Sequence, residues 1–180
     1  MATWFAFLRA INLGAKRKFG NAEIAACVEN LGFDKVATHI NTGNVRFDTA
    51  MRSRARIEAA LEQAFAADRG FEVPTICFNL AELRRLGEDV ADIGEGHTGK
   101  HYVSMLKDEP GAEQLAIIEQ AVAEKRVEEE RLVVRGRAAH LLLGQEYHTA
   151  VLTNSVVERA LGVATNRNAT VIRAIIDKWA

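Results

Sequence analysis

Apolar residues along this chain change period several times, and each change marks an element. Trp4 to Leu8 is a continuous apolar run, rich in aromatics and too short for a helix, so it reads as a strand. Ile24, Cys27, Val28 and Leu31 recur at helical spacing behind Asn21, a good N-cap, and Gly32 closes that helix. Val36 to Ile40 and Val45 to Phe47 flank the turn-forming Asn41-Thr42-Gly43-Asn44, which predicts a hairpin. Ser53 can cap a second helix that carries Ile57, Leu61, Ala64 and Phe65 and ends near Gly70, before the strand-like Val73 to Phe78. The order βαββαβ is that of a ferredoxin-like α+β unit: two helices on one face of a four-stranded, mainly antiparallel sheet. It covers residues 1–80.

Residues 81–99 read as a short helix and a linker. Asn79 and Glu82 have the spacing of a capping box for a helix through Leu83 and Leu86, and residues 87–99 are acidic and Gly-rich. Residues 100–180 then predict a second α+β subdomain, βαββ plus C-terminal helices. His101 to Leu106 is strand-like, Leu115, Ile118 and Val122 lie on one helix, and Gly136-Arg137 joins two strands, Leu132 to Arg135 and Ala138 to Leu143. Ser155 and Glu158 suggest another capping box, and Val171, Ile172, Ile175, Ile176 and Trp179 form the apolar stripe of an extra C-terminal helix. The fold class is therefore α+β with two ferredoxin-like subdomains. No sequence repeat is legible between the halves, so a duplication would be structural only.

Composition narrows the function classes. With 48% hydrophobic and 26% charged residues, and 13 Gly against 2 Pro, the 180-residue chain can build a sizeable core. Its 23 basic and 24 acidic residues leave a formal charge of −1, which supplies no global field for a polyanion and disfavours nucleic acid as a partner. Cys27 and Cys77, far apart and flanked by apolar residues, suit buried reduced thiols and a cytoplasmic location. The opening apolar run is interrupted by Arg9 and Asn12, too soon for a signal segment or a membrane span.

Candidate chemistry concentrates in three polar segments. Thr165-Asn166-Arg167-Asn168 stands directly before the terminal apolar stripe, where the first N–H groups of a helix lack intrahelical partners and carry the positive end of its dipole. Arg167 beside them predicts an anion pocket. Arg9 and Asn12 follow the first strand, and Asn41, Thr42, Gly43 and Asn44 form the hairpin turn; both lie where loops converge on ligands. The competing reading is that the asparagines only satisfy turn backbones and Arg9 pairs with a carboxylate. Lys16-Arg17-Lys18 can steer an anion, though such runs are more often merely solvated.

These segments carry a family resemblance. Phe7 to Gly14, Thr38 to Val45 and Ala164 to Asn168 resemble, over essentially the whole chain, the bacterial domain-of-unknown-function family 1697. Its first motif usually runs Leu-Arg-Gly-Ile-Asn-Val-Gly, its second ends Ser-Gly-Asn, and its third reads Thr-x-Arg-Asn-Trp. Arg9, Asn12, Gly43, Asn44, Thr165, Arg167 and Asn168 match, while Ala10, Thr42 and Ala169 replace Gly, Ser and Trp. The missing Trp removes a possible stacking surface. The resemblance implies two ferredoxin-like subdomains and brings no activity, cofactor or catalytic residue.

Other motifs fail on context. Gly94-Glu95-Gly96-His97-Thr98-Gly99 spells GxGxxG, but the residues after it look like a strand rather than a helix. His97 and His101 are four apart in a Gly-rich stretch, not on a helix that could present a metal face. The expectation is thus binding of a small phosphate- or carboxylate-bearing ligand without a cofactor or metal. An enzyme acting on that ligand would draw its acid or base from Glu23, His39 or Asp48. A weak RNA binder would have only Phe47 to stack, and a core role fits Phe47 better. A protein-interaction module would show an exposed apolar patch.

Overall fold

The computed structural model describes residues 1–180. Two compact units emerge: Met1–Leu83 together with Trp179–Ala180, and Arg84–Lys178. The first contains β1 (Ala2–Leu8), α1 (Asn21–Asn30), β2 (Asp34–His39), β3 (Asn44–Thr49), α2 (Arg54–Arg69) and β4 (Thr75–Asn79). After α3 (Leu80–Ile93) come β5 (Lys100–Leu106), α4 (Ala112–Lys125), β6 (Arg131–Arg135), β7 (Ala138–Leu143), α5 (Asn154–Leu161), β8 (Ala164–Asn168) and α6 (Ala169–Trp179). The sheets are antiparallel, with strand orders β2-β3-β1-β4 and β6-β7-β5-β8. The two units are therefore one topology used twice. No helix is long and apolar enough to cross a membrane.

Alternation along β1 fixes the first core. Trp4, Ala6 and Leu8 join Val45, Phe47 and Cys77 beneath Ile24, Val28, Ile57, Leu61 and Phe65 of the two helices. On the other face, Phe5 stacks on Trp179 at 6.3 Å, and Phe7 meets Phe78 edge-on at 6.0 Å. In the second unit Leu106, Ala139, Leu141 and Leu143 pack with Ile118 of α4 and Val156, Val157 and Leu161 of α5. Helices α3 and α6 approach at Gly87, where a Cβ would come within 2.6 Å of Ile176 Cδ1.

Edge strands are closed by helix side chains in both units. Glu58 and Glu62, one turn apart on α2, accept the outward N–H groups of Cys77 and Thr75, each at 2.8 Å. In the second unit Glu158 accepts from the Ala164 N–H at 3.1 Å, and Asn154 Nδ2 donates to the Ala164 carbonyl at 3.2 Å. Backbone groups that would otherwise template another chain are thereby occupied. At the opposite edge of the first sheet, β2 carries an irregularity between Asp34 and Ala37 with Lys35 at φ +49°.

Four expectations are corrected. The polar run Thr165 to Asn168 is strand β8 rather than a loop before the helix; its alternately buried Thr165 and Arg167 complete the second sheet as the pairing partners of Met105 and Val103. Residues 87–93 are helix rather than linker, because Leu83, Leu86, Val90 and Ile93 continue one buried stripe to the end of α3. Helix α1 is capped at Gly20, whose N–H donates to Glu23 at 2.8 Å, and Asn21 is its first helical residue. Glu158 forms no capping box with Ser155, being engaged at the edge of β8. The Asn79–Glu82 box is present in reciprocal form, at 2.9 Å each way.

Candidate functional site

Two of the three polar segments meet at the C-terminal end of β1. The Leu8 N–H donates to the Gly43 carbonyl at 2.8 Å and the Arg9 N–H to the Pro74 carbonyl at 2.9 Å, so strand end, hairpin turn and the approach to β4 share one rim. Asn12 ties the rim together. Its Nδ2 donates to the carbonyls of Phe19 (3.1 Å) and Asn41 (2.8 Å), and its Oδ1 accepts from the Phe19 N–H at 2.9 Å. Arg17 is a second tie: its guanidinium donates to the carbonyls of Ala10 and Glu72, at 2.6 Å each, and lies 4.6 Å from the centre of the Phe71 ring. Arg17 thus belongs to the framework of the loop, while Lys16 and Lys18 beside it are exposed.

The turn is locked from inside. Asn44, 1% exposed, donates through Nδ2 to the His39 carbonyl and to Thr42 Oγ1, both at 2.9 Å. Gly43 sits at φ +76°, and a Cβ there would lie 2.7 Å from Leu8 Cβ and 2.8 Å from Ile11 Cδ1. Only glycine fits both the conformation and the space. The asparagines at 12 and 44 therefore satisfy backbone, as the plainer reading of the sequence has it, and Asn41 and Thr42 remain exposed at the tip.

Backbone conformation at the rim is unusual. Ala10 (φ +56°), Asn12 (φ +55°) and Ile40 (φ +48°) are all left-handed, a region that asparagine tolerates and that costs alanine or a β-branched residue of order 1–2 kcal/mol. Ala10 occupies the position where the resembling family's motif carries glycine. Ala10→Gly is accordingly expected to raise stability by up to about 1 kcal/mol, read as the midpoint shift in urea denaturation. A midpoint lowered by the glycine would contradict the strain.

The third segment belongs to the second unit. Arg167 is 7% exposed, donates from Nη1 to Thr165 Oγ1 (3.0 Å) and the Asn166 carbonyl (2.8 Å), and burial pushes its pKa down to about 10. A guanidinium so enclosed is a sheet residue rather than a solvent-facing anchor at a helix start. Asn168, directly before α6, accepts the Thr170 N–H through its side chain at 2.8 Å.

The acid–base candidates have fixed employments. Glu23 accepts from the Gly20 N–H and pairs with Arg69 at 2.8 Å, and both hold its carboxyl below the usual carboxylate range. Burial opposes ionisation of Asp48, but the Thr3 hydroxyl at 2.8 Å, Lys35 and Arg46 outweigh it and lower its pKa. His39 stands edge-on to Trp179, ring centres 6.0 Å apart. Phe47 is fully buried and stacks on Phe33 at 5.0 Å, and Phe5, Phe7 and Phe78 on the other face are at most 3% exposed, so this sheet offers bases no stacking platform. Both cysteines are buried thiols outside any disulfide, and desolvation raises the pKa of the Cys27 thiol. The GxGxxG stretch lies between α3 and β5, the reverse of the strand-to-helix setting that a dinucleotide requires.

The family described as "Protein of unknown function (DUF1697)" matches residues 1–140, more than three quarters of the chain. This chain belongs to the DUF1697 family. Among solved structures it is similar to the conserved bacterial protein SP0830 from Streptococcus pneumoniae, with a TM-score of 0.74 at 20% identity over 98% of this chain and 97% of that one. At that identity the likeness concerns the fold. No curated protein matches. The DUF1697 match includes the whole rim of the first unit and ends before β8.

Proposed function

We propose that the chain binds a small phosphate- or carboxylate-bearing ligand at the rim of the first unit, with Arg9, Lys16, Lys18, Asn41 and Thr42 as its contacts. In this reading Asn12, Gly43 and Asn44 build the rim, while Thr165, Asn166, Arg167 and Asn168 serve the second sheet and the start of α6.

The observation that carries the proposal is the internal duplication, which acts as a control. The second unit closes the same positions with the same bonds: Leu106 N–H to the Arg137 carbonyl at 2.8 Å, and Lys107 N–H to the Val163 carbonyl at 2.9 Å. It does so with a five-residue connection (107–111) and a two-residue turn (136–137), where the first unit uses twelve residues (9–20) and four (40–43). The fold needs no more than the shorter version. The extra residues of the first unit are the ones that hold left-handed backbone, two internal ties and exposed cations, and strain maintained in an elaborated loop is characteristic of ligand sites. Lys16 and Lys18 concentrate anions there although the chain as a whole is nearly neutral.

A thermal-shift series with inorganic phosphate, pyrophosphate, acetate and citrate tests this. A ligand at one hundred times its Kd stabilises by roughly 2.7 kcal/mol. The double substitution Lys16→Gln, Lys18→Gln is expected to remove most of that response, whereas Lys107→Gln at the equivalent end of β5 leaves it intact. Equal losses from both would show that the response is nonspecific screening.

A further inference from the structure

The second sheet buries a pair of imidazoles that the anion site does not use. His101 on β5 and His140 on β7 are 8% and 0% exposed, on the same face of adjacent strands, with Nε2 of the first 3.1 Å from Nδ1 of the second. One shared proton bridges the two strands. The outer nitrogens, His101 Nδ1 and His140 Nε2, are buried without a hydrogen-bond partner. At the end of α3, a Cβ on Gly94 would stand 3.0 Å from His101 Nδ1, so there is little room for the pair to re-orient.

The charges that reach the pair are unfavourable to a second proton. His97 from the loop after α3 and Arg173 from α6 act on His101, and Arg135 from β6 acts on His140. Asp89 and Asp92 of α3 are engaged with Arg135, at 3.0 and 2.7 Å. A protonated pair would thus be a buried cation among cations.

We propose that the His101–His140 pair is an acid-operated latch: neutral, it joins β5 to β7, and protonation of either ring opens the second sheet under mildly acidic conditions. Desolvation holds both rings neutral in the closed state, with pKa values of about 4 for His101 and about 3 for His140, whereas the open state titrates at the ordinary imidazole value of 6.5. The sign follows from linkage. Between those values the open state binds up to two more protons, so closure is complete above pH 6.5 and is lost progressively as pH falls towards 4.

Hydrogen–deuterium exchange of the full chain, corrected for intrinsic rates, reads this in the amides of residues 100–106 and 138–143. Their protection is expected to fall by up to about 100-fold per pH unit between roughly pH 6 and pH 4.5. The double substitution His101→Leu, His140→Leu replaces both partners by apolar groups, a change that can be neutral for folding, and should flatten that slope. Should this variant fold poorly, NMR titration of the unaltered chain decides. Both rings staying neutral until protection is lost supports the latch. An imidazole that titrates near 6.5 with protection intact, or an undiminished slope in the double variant, overturns it.

Discussion

A chain ending at Thr170 is expected to lose the cooperative folding of its second unit. The deletion removes Ile172 and Ile175, both fully buried, and the half-buried Val171 and Ile176. At about 1.5–3 kcal/mol for a fully buried aliphatic side chain and half that for a half-buried one, the stripe contributes roughly 4.5–9 kcal/mol, comparable to the 5–15 kcal/mol that holds a domain folded. It also takes away Trp179, which stacks on Phe5 in the first unit. The single substitution Trp179→Ala separates the two effects, with an expected loss of about 3 kcal/mol through the first unit while the α6 stripe stays in place. Guanidinium denaturation followed by near-UV circular dichroism measures both, and a truncated chain with an unchanged midpoint would show that α6 is an appendage.

The second large effect is expected at Gly43. Gly43→Val forces a β-branched residue into φ +76° and drives its Cβ to within 2.7 Å of Leu8 Cβ, an atom fixed in the centre of the first core. Left-handed strain of about 1–2 kcal/mol adds to overpacking of about 1–3 kcal/mol, giving a loss of about 2–5 kcal/mol. Gly14→Ala is the control, because Gly14 shares the conformation (φ +67°) with open space around it. Its substitution should cost only about 1 kcal/mol. Equal midpoint shifts for the two variants would mean that the hairpin moves aside and that the close approach of turn and β1 is not a constraint.

The turn also shows how a motif that looks like a binding signature can be architecture. Gly43 and Asn44 are among the residues that carry the resemblance to the family, yet Gly43 is required by space and Asn44 by the His39 carbonyl. Arg17, read in sequence as part of a basic run that steers an anion or is merely solvated, proves to be the side chain that pins the loop to Ala10 and Glu72. Nothing local distinguishes Arg17 from Lys16 or Lys18. The difference is the presence of two carbonyls and the Phe71 ring in reach, and the Glu72 and Phe71 partners come from more than fifty residues away.

Sequence by itself determined what depends on period and local backbone chemistry. The short continuous apolar run at Trp4 to Leu8, helical spacing at Ile24 to Val28 and Ile57 to Phe65, the two hairpins and the Asn79–Glu82 box are all settled within a few residues of chain, and the α+β class follows from their order. Strand β8 escaped because Ala-Thr-Asn-Arg-Asn has neither apolar alternation nor β-branched enrichment; it is a strand because β5 offers it a ladder and Glu158 and Asn154 close its outer edge. Only the tertiary structure, for the same reason, moved Arg167 from an exposed helix start into the sheet and set His101 against His140, 39 residues apart. Pairing across a sheet is a long-range contact, and the free energy that selects it comes from partners that no local window of sequence contains.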